Sequence, residues 1–125
     1  MIKQGRLYLH SRQLCLWPEV TVLTNFPQRF IGLLLRQGLA RGQAFWFPNC
    51  AAVHSWGMQF AMDVVGLDAQ QRIVSIQRNV QPGRLLHLKQ TRSIIECEAG
   101  LPFPLERWLG ESLHFEEKEV VDEVL

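Results

Sequence analysis

The apolar stretch at residues 60–67, FAMDVVGL, limits the fold of this chain more than any other feature. Successive side chains of a strand point to opposite faces, and here both faces are largely apolar. A strand of this kind needs cover on both sides, so we expect it in the centre of a sheet. The polar residues 68–71 supply a turn, and the β-branched residues that follow predict the second strand of a hairpin.

Short apolar and β-branched segments predict further strands. Residues 14–24 favour either two short strands or one edge strand broken by a bulge near Pro18 and Glu19. Residues 93–98 and 112–115 predict two more. Strands at such short intervals, without alternation between strand and helix, are typical of sandwiches and barrels. The predicted fold class is therefore mainly β, a small β-sandwich or barrel-like domain.

One internal α-helix is predicted over residues 26–36. Asn25 is a suitable N-cap, Pro27 is tolerated in the first helical turn, and the apolar residues that follow form one stripe that Gly38 ends. A single helical turn is predicted near residues 104–109. The acidic residues 116–125 place four apolar side chains on one helical side, which allows either a C-terminal helix or a frayed tail.

Composition and charge exclude several partner classes. The formal net charge is +1, so the whole molecule has no large field that would attract nucleic acid or anionic lipid. No apolar segment approaches the roughly 20 residues that span a bilayer, and polar residues 10–13 interrupt any signal-peptide core. The three cysteines, odd in number and set among apolar neighbours, predict buried thiols. We expect a soluble cytoplasmic protein that binds neither membrane nor nucleic acid.

A stretch of basic residues without acidic residues among them is the one local exception to this charge balance. It contains no aromatic side chain on which a base could stack, so it predicts solvated strand edges rather than a nucleic-acid site. The acidic residues near the C-terminus offer a means of neutralising it. Its members are Arg72, Arg78, Arg84, Lys89 and Arg92.

Asp63 is the most informative single residue, because an ionised carboxylate inside an apolar strand is costly unless it is paired. The sequence offers Arg29, Arg36 and His54 as partners, and a guanidinium suits a carboxylate best. We expect a structural ion pair with Arg36 or Arg29. The alternative is catalytic: Asp63 and Glu96 would act as the acid and base of a hydrolase, with His54 as proton shuttle.

The cysteines and His54 offer weaker possibilities. Cys50 and His54 have a spacing that could ligate a metal together with Cys97, but no second ligand pair completes a four-ligand site. Read as a nucleophile and its base, Cys50 and His54 would have to meet in space, which sequence proximity alone does not establish. We predict no metal and no cofactor. Glycine motifs of the common nucleotide-binding folds do not occur.

Three segments, RFIGLLLRQGL, HSWGMQFAMDVVGLDAQQRIVSI and IIECEAG, resemble the domain-of-unknown-function family 192 in this order and spacing. The resemblance runs from about Val20 to about Phe115. It implies a small β-sandwich-like domain and no established reaction, ligand or cofactor. The family's motif positions fall on Arg29, Gly32, Leu33, Arg36, Leu39, His54, Met58, Asp63, Glu96 and Gly100.

The chain departs from the family pattern at two positions. Gly66 stands where a large apolar residue is usual, and Glu98 where a small or proline-like residue is usual, so we expect altered strand packing near both. Many family members look secreted, whereas this chain shows no signal segment. We therefore predict one domain over residues 1–125, with a family-like core at about 20–115, an N-terminal extension at 1–13 and an acidic tail at 116–125.

The function predicted from these observations is a non-enzymatic binding or accessory module. Its partner would be a small ligand or another protein. The hydrolase remains the alternative, so catalytic residues are unknown and the question of an enzyme stays open. The residues predicted to form a polar cluster are Arg29, Arg36, His54, Trp56, Asp63 and Glu96.

Overall fold

The computed structural model describes residues 3–24, 38–55 and 58–118. The predicted internal helix at 26–36 therefore lies outside the described residues, as do Arg29, Arg36 and Trp56. The predicted C-terminal helix at 116–125 lies outside them from residue 119, and its first two residues belong to a strand instead. Strands make up 54% and short helical turns 7% of the structure, which confirms the mainly β fold. No helix within these ranges is long and apolar enough to cross a membrane.

The described residues form nine strands and two short 3-10 turns. The turns are η1 (His10–Arg12) and η2 (Leu105–Trp108). The strands are β1 (Lys3–Leu9), β2 (Leu14–Val22), β3 (Gln43–Pro48), β4 (Ala52–His54), β5 (Met62–Leu67), β6 (Ile73–Val80), β7 (Leu85–His87), β8 (Ser93–Glu98) and β9 (Leu113–Glu117).

Seven of these strands form one curled sheet in the order β6-β5-β8-β3-β2-β1-β9. Only the pairing of β2 with β3 is parallel within this sheet. Its two edge strands meet near their first residues, where the Ile73 N–H donates to the Glu111 carbonyl at 3.0 Å and the Leu113 N–H donates to the Gln71 carbonyl at 2.9 Å. The sheet is nevertheless not closed into a barrel.

Each face of the large sheet carries its own apolar cluster. The inner cluster fills the curl and includes Leu7, Trp17, Trp46, Val65 and Ile95. The outer cluster, on the other face, joins β5 and β8 of the large sheet to the separate β4–β7 sheet. Because both faces are covered, every residue of β5 is buried, which confirms the prediction of a central strand in a hairpin with β6.

The predicted edge position of residues 14–24 is wrong. They form the single strand β2, which lies in the interior of the sheet between β1 and β3. The predicted bulge is present, since the register against β1 shifts between the pairs Gly5–Val20 and Leu7–Trp17. Pro18 lies in this irregularity, where a residue without an N–H does not interrupt a regular ladder. Residues 1–13, outside the predicted family-like core, supply β1.

The two ends of the inner cluster differ. At one end, residues 101–108 fold over the strands, and Leu101, Leu105 and Trp108 complete the inner cluster. We call this the closed end. At the other end, β1 and β8 begin while β2, β3 and β5 finish, as the strand registers show. No corresponding segment within the described residues packs into the cluster there, and we call it the open end.

Gly66 departs from the family pattern for a steric reason. A Cβ at this position would lie 2.6 Å from the Thr91 hydroxyl oxygen and 3.2 Å from the Ser75 Cβ. Thr91 is buried there, and its hydroxyl donates to the Lys89 carbonyl. The absent side chain of Gly66 therefore makes room for the loop that precedes β8.

Candidate functional site

Asp63 occupies a fully buried position on the inner face of β5, near the closed end. One carboxylate oxygen, Oδ2, accepts hydrogen bonds from Arg78 Nη1 at 2.8 Å and from the Leu101 backbone N–H at 3.3 Å. The other, Oδ1, accepts from the Asn79 backbone N–H at 2.8 Å. The carboxylate is thus paired and hydrogen-bonded on both oxygens, as a buried charge requires.

Arg78 is the centre of the network at the closed end. Beyond Asp63, its Nη1 donates to the Leu101 carbonyl at 3.0 Å and its Nη2 donates to the Phe103 carbonyl at 2.7 Å. Its Nε and Nη2 also donate to the two carboxylate oxygens of Glu106 at 2.7 and 3.0 Å. All five guanidinium N–H groups therefore have an acceptor. The hydrogen bonds to Glu106, and next the one to Asp63, raise the pKa of Arg78 although its partial burial lowers it.

This network corrects the predicted partner of Asp63. An arginine does hold the carboxylate, but it is Arg78, which was predicted to lie on a solvated strand edge. Arg29 and Arg36 lie outside the described residues. His54 is wrong as a partner, because β4 belongs to the small sheet on the outer face whereas Asp63 points to the inner face. Within β4, Val53 is the residue that packs into the outer cluster.

Glu96 is the second predicted carboxylate, and it lies in the middle of β8 with 2% of its surface exposed. Its cross-strand neighbours are Val64 on β5 and Phe45 on β3. Burial raises the pKa of Glu96 to about 8. Among the described residues its Oε2 has no hydrogen-bond partner. Burial therefore favours the protonated, neutral form of Glu96.

The predicted acid and base pair does not form. Asp63 is opposite Cys97 in the β5–β8 register, and Glu96 is opposite Val64. Since neighbouring positions on a strand point to opposite faces, Asp63 faces the inner cluster and Glu96 faces the outer one. The backbone of the sheet lies between the two carboxyl groups. They cannot act on one bond of a substrate, so this arrangement does not support the carboxylate-dependent hydrolase.

Cys50 and Cys97 lie on different sides of the sheet. Cys97 belongs to the inner cluster, and burial raises the pKa of its thiol, which disfavours the thiolate needed by a metal or a nucleophile. Cys50 packs against the outer cluster, and its thiol lies 3.0 Å from the Ala52 carbonyl. Across residues 3–24, 38–55 and 58–118, no group of three His, Cys, Asp or Glu side chains could hold a metal ion.

The open end of the inner cluster contains a cavity of about 610 Å³. Its floor continues the inner face of the sheet, because Val22 is paired with both Lys3 and Trp46, and Ser93 with Pro48. The rings of Trp46 and Phe115 meet there with their centroids 5.5 Å apart. The remaining lining residues are Thr24, Asn49, Asp68, Ala69, Gln71, Arg92 and His114.

Comparison with known proteins gives a family and a fold. The sequence profile of the family DUF192, described as Uncharacterized ACR, matches residues 9–106. No curated protein sequence matches the chain. A crystal structure from Sinorhizobium meliloti 1021, whose description proposes a transcription regulator, has 19% identity and a TM-score of 0.72 and covers 92% of this chain and 94% of its own. A protein of unknown function from Novosphingobium aromaticivorans DSM 12444 has 17% identity and a TM-score of 0.65, with 90% and 84% covered.

Substitution of Asp63 should reveal a structural role. Asp63→Ala leaves the Arg78 charge without its buried partner, so we expect the free energy of unfolding to fall by about 3–5 kcal/mol. Asp63→Asn should cost nearly as much, because it keeps the shape and removes the charge. Urea unfolding of the purified variants measures both losses.

Glu106→Gln is the matched control, since it also takes one carboxylate from Arg78 but at an exposed position. Its expected cost is below about 1 kcal/mol. If Asp63→Asn unfolds at the same urea concentration as the parent, Asp63 does not stabilise the fold and the structural assignment is wrong.

Glu96 should make the protein less stable as the pH rises. Between the ordinary pKa of 4.5 and the raised pKa of about 8, the folded protein keeps a proton that the unfolded chain has lost. The free energy of unfolding therefore falls across this range, by up to about 1.4 kcal/mol per pH unit. Glu96→Gln stays neutral, so we expect it to match the parent near pH 4.5 and to be the more stable protein near pH 9.

Urea unfolding at a series of pH values measures this difference. Glu98→Gln, on the same strand, is the control and should follow the parent curve. Parallel curves for the parent and Glu96→Gln would show that Glu96 does not hold a proton in the folded state.

Proposed function

The chain belongs to the DUF192 family of uncharacterised proteins, and from the geometry of its two ends we propose that it is a non-enzymatic module that binds a small molecule in the cavity at the open end. The observation that carries this proposal is the cavity itself. Its volume of about 610 Å³ lies within the range of small-molecule sites.

The lining of the cavity supports binding. Apolar and aromatic side chains form the floor, while polar and charged side chains surround them, which is the usual composition of a ligand site. Its residues come from β1, β2, β3, β8, β9, the β5–β6 turn and positions next to the ends of β2, β3 and β8. A site on so many paired strands is held rigid before the ligand arrives, which reduces the entropy lost on binding.

The positions of the carboxyl groups favour binding over catalysis. Asp63 and Glu106 are committed to Arg78 at the closed end. Glu96 is sealed beneath the outer cluster, on the other face of the sheet from the cavity. Among the described residues, Asp68 is the one carboxylate that lines the cavity, and it accepts hydrogen bonds from the Gln70 and Arg72 backbone N–H groups and from Arg72 Nε. Such a carboxylate is a poor general base.

A role in binding nucleic acid is less well supported. The structural neighbour with a proposed regulatory role is 19% identical, so only its fold is comparable. In the basic stretch, Arg72 is paired with Asp68, and Arg78 with Asp63 and Glu106. These arginines are therefore not available to neutralise phosphates. We propose a cytoplasmic location, since the chain's three cysteines, all within the described ranges, form no disulfide.

A screen of small neutral, cationic and anionic compounds by ligand-observed NMR tests the proposal. We expect compounds that bind the parent, that remain chemically unchanged, and that lose binding in Ala69→Trp. Ala69 is an exposed lining residue, so a large side chain there blocks the cavity with little effect on the core.

Lys89→Trp is the matched control, because it adds the same side chain at an exposed position that does not line the cavity. Its binding should equal that of the parent. Compounds that bind Ala69→Trp as well as the parent would place the site elsewhere, and conversion of a bound compound to a product would make the protein an enzyme.

A further inference from the structure

The cavity at the open end has an uneven charge. Lys3 and Arg92 line it, together with His114, while Asp68 is the acidic residue among the described residues of the lining. All four side chains line this one cavity, although they come from four separate segments of the chain. Their balance therefore decides which ligand charge the cavity favours.

The acidic residue is already neutralised by its own loop. Asp68 Oδ2 accepts from Arg72 Nε at 2.8 Å, and Asp68 Oδ1 accepts from the Gln70 and Arg72 backbone N–H groups at 2.9 Å each. In contrast, neither Lys3 nor Arg92 forms an ion pair with any residue in the described part of the chain. Two cationic side chains at the cavity are thus left without a charge partner.

The floor of the cavity is aromatic, which is a second property that a ligand would meet. Trp46 is 7% exposed and stacks at a tilt against Phe115, so the floor is aromatic. The indole Nε1 of Trp46 is a buried donor for which residues 3–24, 38–55 and 58–118 supply no acceptor. This donor is buried beneath the ring surface, so it is the aromatic faces that a ligand meets. A flat apolar group suits this floor.

We propose that the cavity binds a small anion in which a carboxylate or phosphate is attached to a flat apolar ring. The ring packs on Trp46 and Phe115, and the anionic group is bound by Lys3 and Arg92. Charge-assisted hydrogen bonds from a guanidinium to either oxyanion are strong, so both head groups share the chemistry that this site recognises. The inference rests on the proposed function, since it names the ligand class of the same cavity.

Titration calorimetry with four probes of one shape tests the ligand class. The probes are 2-naphthoate, 2-naphthyl phosphate, the neutral 2-naphthamide and the cationic 2-naphthylmethylamine. We expect at least one of the two anions to bind roughly tenfold more tightly than the amide, and the amine to bind most weakly. The stronger of the two anions identifies the preferred head group. Added salt should weaken the anions and leave the amide unchanged.

Charge-removing variants test the residues. Lys3→Gln and Arg92→Gln are each expected to weaken the anion roughly tenfold and to leave the amide unchanged. Lys89→Gln removes the same charge from an exposed position away from the cavity and should bind every probe like the parent. Both tested side chains are exposed, so the fold should be retained.

The outcomes separate this inference from the proposed function. Equal binding of the anions and the amide, abolished by Ala69→Trp, would overturn the anion inference and leave the cavity as the site. Tighter binding of the amine would overturn it as well. Failure of all four probes would also overturn it, and the compound screen decides independently whether the cavity binds ligands at all.

Discussion

The hydrogen-bonded ion pair between Asp63 and Arg78 is the interaction on which the rest of this structure depends. An ionised carboxylate inside a fully buried strand is stable only with a charged partner and with hydrogen-bond donors for both oxygens. The β5–β6 hairpin supplies these donors from Arg78 and from the Asn79 N–H. The same guanidinium binds two carbonyl groups and one carboxylate of residues 101–106. One side chain therefore joins the central hairpin to the segment that covers the closed end.

Among the described residues, this arrangement distinguishes a closed end, which is filled, from an open end, which is not. At the closed end, Leu101, Leu105 and Trp108 complete the inner cluster. At the open end, a cavity is lined by residues from five strands, from the β5–β6 turn and from loop positions next to the strand ends. Asp63, which looks catalytic in the sequence, stabilises the closed end, and the features suited to a ligand lie at the open end.

The sequence predicts local elements well and long-range partners poorly. The pattern of residues 60–67 leads correctly to a central strand, a hairpin and a buried, paired Asp63. If the two strands of the hairpin paired regularly on either side of the turn at 68–71, Ile76 would lie opposite Asp63. The register shifts within the hairpin bring Arg78 and Asn79 beside Asp63 instead. Asp63 and Glu96 look like a pair until the β5–β8 register places them on opposite faces. The cavity has no local signal, because Lys3, Trp46, Ser93 and Phe115 are brought together only by the strand order.

Amide hydrogen exchange tests most directly whether Arg78 fixes the closed end. If it does, the Leu101 N–H, which donates to Asp63, and the Leu105 N–H should be protected in the parent almost as strongly as the amides of β5 and β8. Arg78→Lys keeps a charge beside Asp63 but cannot bind all of Arg78's acceptors at once. It should lose protection across residues 101–108 while β1 and β2 stay protected. Equal protection of residues 101–108 in the parent and in Arg78→Lys would contradict this account.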